Sequence, residues 1–128
     1  MSAKSIRQFM TANPITIELH QPLSAARKLM RDKNIRHLPV VTSGALAGII
    51  SNRDLQFVET LGTLDIETAL VEDAMVAEAL QFPSSASLRE VAAAMVQTKA
   101  GSAVIVEGGR VVGIFTNVDA LRAISVLE

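Results

Sequence analysis

The chain has 128 residues, 49% apolar and 20% charged, with a net charge of −1 and no cysteine. That length holds one domain or two very small ones sharing a core, and no basic excess marks a nucleic-acid binder. Disulfides, zinc–thiolate sites and thiol catalysis are excluded, and neither a signal peptide after Met1-Ser2-Ala3-Lys4 nor an apolar run of the roughly 18 residues of a membrane span is present, so a soluble, cytoplasmic protein is expected.

In chain order, the first element is a short alternating strand at 15–19. A helix follows, with Pro22 in its first turn and Leu23, Ala26, Leu29 and Met30 on one face. Two apolar runs, 38–41 and 46–51, are split at Gly44 and read as a hairpin. A second helix is predicted over 53–60. A short bridge, 61–67, contains Gly62 and leads to a helical stretch at 68–75 that repeats 6–10. The series then begins again. A strand at 80–82 precedes a helix carrying Leu88, Val91, Ala92 and Met95, where Ser87 and Glu90 have the spacing of a capping box. Runs at 103–106 and 111–116 are joined through Gly108-Gly109, and a last helix covers 118–126. With no Trp or Tyr and only Phe9, Phe57, Phe82 and Phe115, the core is aliphatic, with Met10, Met30, Met75 and Met95 as filler. Stacking platforms for single-stranded nucleic acid are missing.

The second half is the first half again. A shift of 65 residues brings the chain onto itself without a gap, Met10 onto Met75, Ala12 onto Ala77, Leu23 onto Leu88, Met30 onto Met95 and Gly44 onto Gly109. The densest match sets Gly48-Ile49-Ile50-Ser51-Asn52-Arg53-Asp54 on Gly113-Ile114-Phe115-Thr116-Asn117-Val118-Asp119. Polar and glycine matches at fixed spacing carry this inference, because aliphatic coincidences are common in such a sequence. The repeats are expected at 1–60 and 68–128 with a linker at 61–67, packed on each other because neither buries enough apolar surface alone.

The order strand-helix-strand-strand-helix, twice, with a Gly-apolar-apolar-[Ser/Thr]-x-x-Asp end to each hairpin, resembles the CBS domain, whose tandem pairs are called Bateman modules. The resemblance also lies in Phe9-Met10-Thr11 before Pro14, in Asn34-Ile35-Arg36-His37-Leu38-Pro39-Val40-Val41, and in Gly101-Ser102-Ala103-Val104-Ile105-Val106. It covers about 6–121. It implies an α/β (α+β) fold of two repeats with pseudo-twofold symmetry, and a regulatory module binding AMP, ADP, ATP or S-adenosylmethionine in clefts between the copies. It also implies a homodimer; with no effector domain read in the chain, an effector protein acted on in trans is expected, and charge and hydropathy lead one to expect neither nucleic acid nor membrane as partner, with no cofactor required.

On their own chemistry, Ser51 and Thr116 stand where a strand end meets a helix N-terminus, a point that favours an anionic phosphate. Their hydroxyls can donate to a phosphate oxygen. Asp54 and Asp119, in the first helical turn, can accept from both hydroxyls of a ribose diol, because both carboxylate oxygens are usable. The same four residues serve equally well as helix caps and first-turn acids. Arg36, His37 and Arg53 occur only in the first copy, where the second has Gly101, Ser102 and Val118; they would supply charge to a di- or triphosphate. A solvated arginine face is the plainer alternative, and His37 reads as strand entry. His20 reads as a loop residue without a role. Thr16, Ile17 and Phe82, with Ile15 and Leu80, are candidates for the apolar slot of the base, though most are also ordinary core. No catalytic constellation, metal motif or Walker lysine is found, so the chain is expected not to be an enzyme. The alternative to a sensor is a ligand-free dimerisation scaffold on the same fold.

Overall fold

The computed structural model describes residues 4–127. In chain order its strands are β1 (Thr11–Ala12), β2 (Ile17–Glu18), β3 (His37–Thr42), β4 (Ala45–Ser51), β5 (Gln81–Phe82), β6 (Ser102–Glu107) and β7 (Arg110–Thr116). The helices are α1 (Leu23–Lys33), α2 (Asn52–Leu61), α3 (Leu88–Thr98) and α4 (Asn117–Leu127), with single 3-10 turns at Ile6–Gln8 and Val71–Asp73. The expected order of strand, helix, hairpin and helix is therefore present twice. No helix among the described residues is long and apolar enough to cross a membrane.

The chain divides into two compact units that cut across the repeats. One is continuous, Ile15–Ala79; the other joins Met1–Pro14 to Leu80–Glu128. In the continuous unit β2 pairs in parallel with β3, and β3 antiparallel with β4. Its core holds Ile17, Leu23, Met30, Leu38, Val40, Ile50, Leu55 and Val71. In the discontinuous unit β5 pairs in parallel with β6, β6 antiparallel with β7, and β7 antiparallel with β1. Its core holds Ile6, Val91, Met95, Ala103, Ile105 and Phe115. Met30 and Met95 are buried, and Met10 and Met75 pack against the two cores, as filler should.

Both hairpins turn on two residues with positive φ, Ser43-Gly44 (50° and 82°) and Gly108-Gly109 (57° and 82°). Only such primed turns match the twist of the flanking strands. A bulge at Val40/Val41 recurs at Ile105/Val106. The first helix of each copy ends on a left-handed residue, Asn34 and its equivalent Lys99.

Three local expectations are corrected. Pro22 is the N-cap of α1 rather than a first-turn residue. It caps without a side-chain bond because the amides of Leu23 and Ser24 donate to the carbonyls of Ala69 (2.9 Å) and Ile66 (2.8 Å), which satisfies donors that a cap would otherwise serve. The capping box at α3 is half formed: Ser87 Oγ accepts from the Glu90 amide at 3.0 Å, without the reciprocal bond. The stretch 68–75 is not a helix. The amides of Val71 and Glu72 donate to Gln21 and Leu19 (2.8 and 3.0 Å) instead of to the preceding turn, so helical bonding stops after a single 3-10 turn.

Candidate functional site

The end of β4 is where the first copy concentrates its polar chemistry. Ser51 is the extended N-cap of α2 and forms a full capping box with Asp54. The Asp54 amide donates to Ser51 Oγ at 3.2 Å, while the Ser51 amide and hydroxyl donate to Asp54 Oδ2 at 2.8 and 3.0 Å. Oδ1 of Asp54 has no protein partner among the described residues, and the side chain is partly exposed.

Strand pairing delivers the charged residues to the same place. His37 is register partner of Ser51 across β3 and β4. The Arg36 carbonyl accepts from the Asn52 amide at 2.8 Å, which fixes the backbone of β3's entry against the start of α2. Burial holds the His37 imidazole below its ordinary pKa; the nearby Asp54 carboxylate opposes this, and Arg36 and Arg53 reinforce it. Arg36, His37, Arg53 and Asp54 therefore share one electrostatic neighbourhood. Arg36 and Arg53 are exposed and make no ion pair among the described residues. The neutral His37 adds no charge there at pH 7. His20 Nε2 lies 3.9 Å from Glu72 Oε1 on the surface of this unit.

Thr16 and Ile17 lie at the entry of β2 in the same unit. Thr16 is half-buried, but the Ile17 side chain is 5% exposed and belongs to the core. Any wall it offers to a base is backbone, since its side chain is spent on packing.

In the other unit Thr116 and Asp119 repeat the arrangement at the start of α4. The Thr116 amide and hydroxyl donate to Asp119 Oδ2 at 2.9 and 3.2 Å, and the Asp119 amide donates to Thr116 Oγ1 at 3.4 Å. Here, however, Asp119 is 3% exposed and its second oxygen is occupied. Thr11 Oγ1 donates to Oδ1 at 2.9 Å, and Arg122 Nη1 does so at 3.1 Å. Sequence reasoning missed Thr11 and Arg122. The 65-residue shift does show the difference in residue type, Val76 against Thr11 and Phe57 against Arg122, neither side chain able to donate, but not that Thr11 meets Asp119. Phe82, on β5, packs half-buried against the core of this unit.

Among the described residues, no three His, Cys, Asp or Glu side chains gather as a metal ion would require.

The family model of the CBS domain matches residues 6–58 and again 71–126. The inosine-5'-monophosphate dehydrogenase of Thermoplasma acidophilum is 31% identical over 117 residues, which cover 91% of this chain but only 22% of that enzyme. Among solved structures, CBSX2 in complex with AMP is 26% identical with a TM-score of 0.85, covering 97% of this chain and 98% of the other. The CBS domain pair of protein MJ0100, in complex with 5'-methylthioadenosine and S-adenosyl-L-methionine, is 25% identical with a TM-score of 0.86, covering 94% and 99%.

Proposed function

From the premise that the chain belongs to the CBS domain family, we propose that it is a regulatory module that binds an adenosine-containing ligand, AMP, ADP, ATP or S-adenosylmethionine, and acts on an effector in trans. The observation that carries this reading is the carboxylate of Asp54, which is fixed by Ser51 through one oxygen and keeps the other unengaged by protein. A partly exposed, oriented acceptor beside a helix N-terminus suits a ribose diol with a phosphate close by. Arg36 and Arg53 add the cationic charge that a polyphosphate needs. Thr116 and Asp119 are candidates of the same kind in the other unit, with Thr16, Ile17 and Phe82 as the surroundings of a base. Two similar structures hold AMP, and 5'-methylthioadenosine with S-adenosyl-L-methionine; these ligands share the adenosine core that Asp54 would read.

The module is a binder rather than a catalyst, needs no resident cofactor and works in the cytoplasm as a homodimer. Assembly is supported by the outward face of α4, where Val118, Leu121 and Ile124 are 62%, 67% and 61% exposed. Apolar side chains at that spacing share one face of a helix, and exposed apolar patches mark interaction surfaces. Binding signals only if the ligand has different affinities for two states of the module.

The deciding experiment is thermal unfolding with AMP, ADP, ATP, S-adenosylmethionine and NAD, with and without magnesium. A ligand at 100 times its Kd adds about 2.7 kcal/mol of stability. Asp54→Ala is expected to abolish the shift. If no ligand moves the wild-type transition, the sensor reading is wrong. The second reading, a ligand-free scaffold, then stands; it is favoured by the fact that both hydroxyl–carboxylate pairs already cap helices internally.

A further inference from the structure

The two hydroxyl–carboxylate pairs look alike in sequence and differ in how much acceptor capacity remains. A carboxylate offers about four lone-pair positions. Around Asp119 four hydrogen bonds are made: the Thr116 amide and hydroxyl to Oδ2, and Thr11 Oγ1 and Arg122 Nη1 to Oδ1. Around Asp54 only the first two have counterparts. Val76 and Phe57 occupy the positions equivalent to Thr11 and Arg122 and have no donor to give. Burial points the same way, since Asp119 is 3% exposed and Asp54 is partly open.

The bonds of Asp119 also span the fold of its unit. Thr11 sits on β1, 108 residues earlier in the chain, and β1 reaches the unit through Thr11↔Ile114 and Ala12↔Gly113 on β7. Arg122 lies one turn further along α4. A ligand diol arriving at Asp119 would have to displace Thr11 or Arg122. The displaced bond would be charge-assisted in either case, because the acceptor is an ionised carboxylate.

We propose that the pairs have diverged in role: Asp54 receives the ligand's diol, while Asp119 is a clasp that ties the N-terminal strand to α4, so that each chain takes up one adenosine ligand. The ligand half rests on the function proposed above; the clasp half does not.

The test pairs isothermal titration with AMP and with S-adenosylmethionine against thermal unfolding of the free protein. The wild type is expected to bind one molecule per chain. Asp54→Asn is expected to weaken binding at least tenfold with little change in Tm. Asp119→Asn and Thr11→Val are expected to lower Tm by about 4 °C or more, while the one-to-one stoichiometry is kept. If Asp119→Asn does not fold, Thr11→Val and Arg122→Gln provide the same comparison. Two molecules per wild-type chain, one of them lost in Asp119→Asn, would overturn the proposal and leave the adenosine reading intact. Should neither probe bind, the adenosine reading fails, and equal losses of Tm for Asp54→Asn and Asp119→Asn would then overturn the clasp as well.

Discussion

Gly113 lies against the thioether of Met10 with no room for a β-carbon, and 65 residues earlier Gly48 stands in the same relation to Met75. In both copies the second hairpin strand admits its neighbouring segment, residues 75–77 at β4 and Met10 at β7, only because a side chain is missing. The obstacles differ in stiffness. A Cβ on Gly48 would meet the Val76 carbonyl oxygen at 2.5 Å and Met75 Sδ at 2.9 Å, whereas on Gly113 its three nearest neighbours would all be atoms of the Met10 side chain. The Val76 carbonyl is also held by the Ile49 amide at 2.9 Å. A methionine can swing aside; a paired backbone carbonyl cannot without breaking its bond. Gly48→Ala is therefore expected to cost about 1–3 kcal/mol, and Gly113→Ala clearly less. Urea denaturation of the two variants checks the order, and equal costs would contradict it.

A second prediction concerns acid. The Ser84 hydroxyl and then the Ser84 amide hold the Glu107 carboxyl below its ordinary pKa, with Arg7 adding to this and desolvation opposing it. The Ser84 amide donates to Oε1 at 2.8 Å, and Arg7 Nη2 donates to Ser84 Oγ at 2.7 Å. Because the folded pKa is depressed, the unfolded chain binds the proton first as pH falls. The stabilisation is complete above the ordinary glutamate range and is lost as pH drops through the lowered folded value. Glu107→Gln is expected to show a shallower decline of Tm between about pH 5 and pH 3 than the wild type. Parallel profiles would remove Glu107 from the acid response.

The proposed homodimer makes a third prediction. Leu121→Glu places a charge in the middle of the exposed α4 face, where the wild-type side chain contributes to no core. Folding is expected to survive, since exposed substitutions usually change stability by less than about 0.5 kcal/mol. Sedimentation velocity is expected to change from dimer to monomer. A dimer unaffected by Leu121→Glu would move the interface elsewhere.

Much of this was legible in the sequence, and for identifiable reasons. Glycines and polar residues at fixed spacing disclosed the duplication, because Gly44, Gly48, Ser51 and Asp54 each answer a demand of backbone or charge that few residues meet. The limits expected for the second helix of each copy, 53–60 and 118–126, lie within a residue of Asn52–Leu61 and Asn117–Leu127. What stayed hidden was partnership. Ile6 and Val71 are equivalent in the repeat and both completely buried, yet each enters the core of the compact unit that contains the other copy's hairpin. Hydrophobic periodicity says that a side chain is buried, not against which strand. The site was legible to the same depth. Ser51, Asp54, Arg36, His37 and Arg53 could be singled out from the motif and from the differences between the copies, but the pairing of His37 with Ser51 came from strand register and the inequality of the two carboxylates from Thr11, both matters of tertiary structure.

The division into compact units also leads us to expect an order of events in folding. The unit Ile15–Ala79 is one uninterrupted piece of chain, whereas the other must bring Met1–Pro14 back to Leu80–Glu128 across all of it. Closing a flexible loop of that length costs about 4 kcal/mol of chain entropy before any contact compensates. Once Ile15–Ala79 has folded, its ends are no longer free to wander and the remaining closure becomes cheaper. The continuous unit is therefore expected to fold first and the contacts of Ile6 and β1 last, an order that pulsed hydrogen exchange during refolding checks.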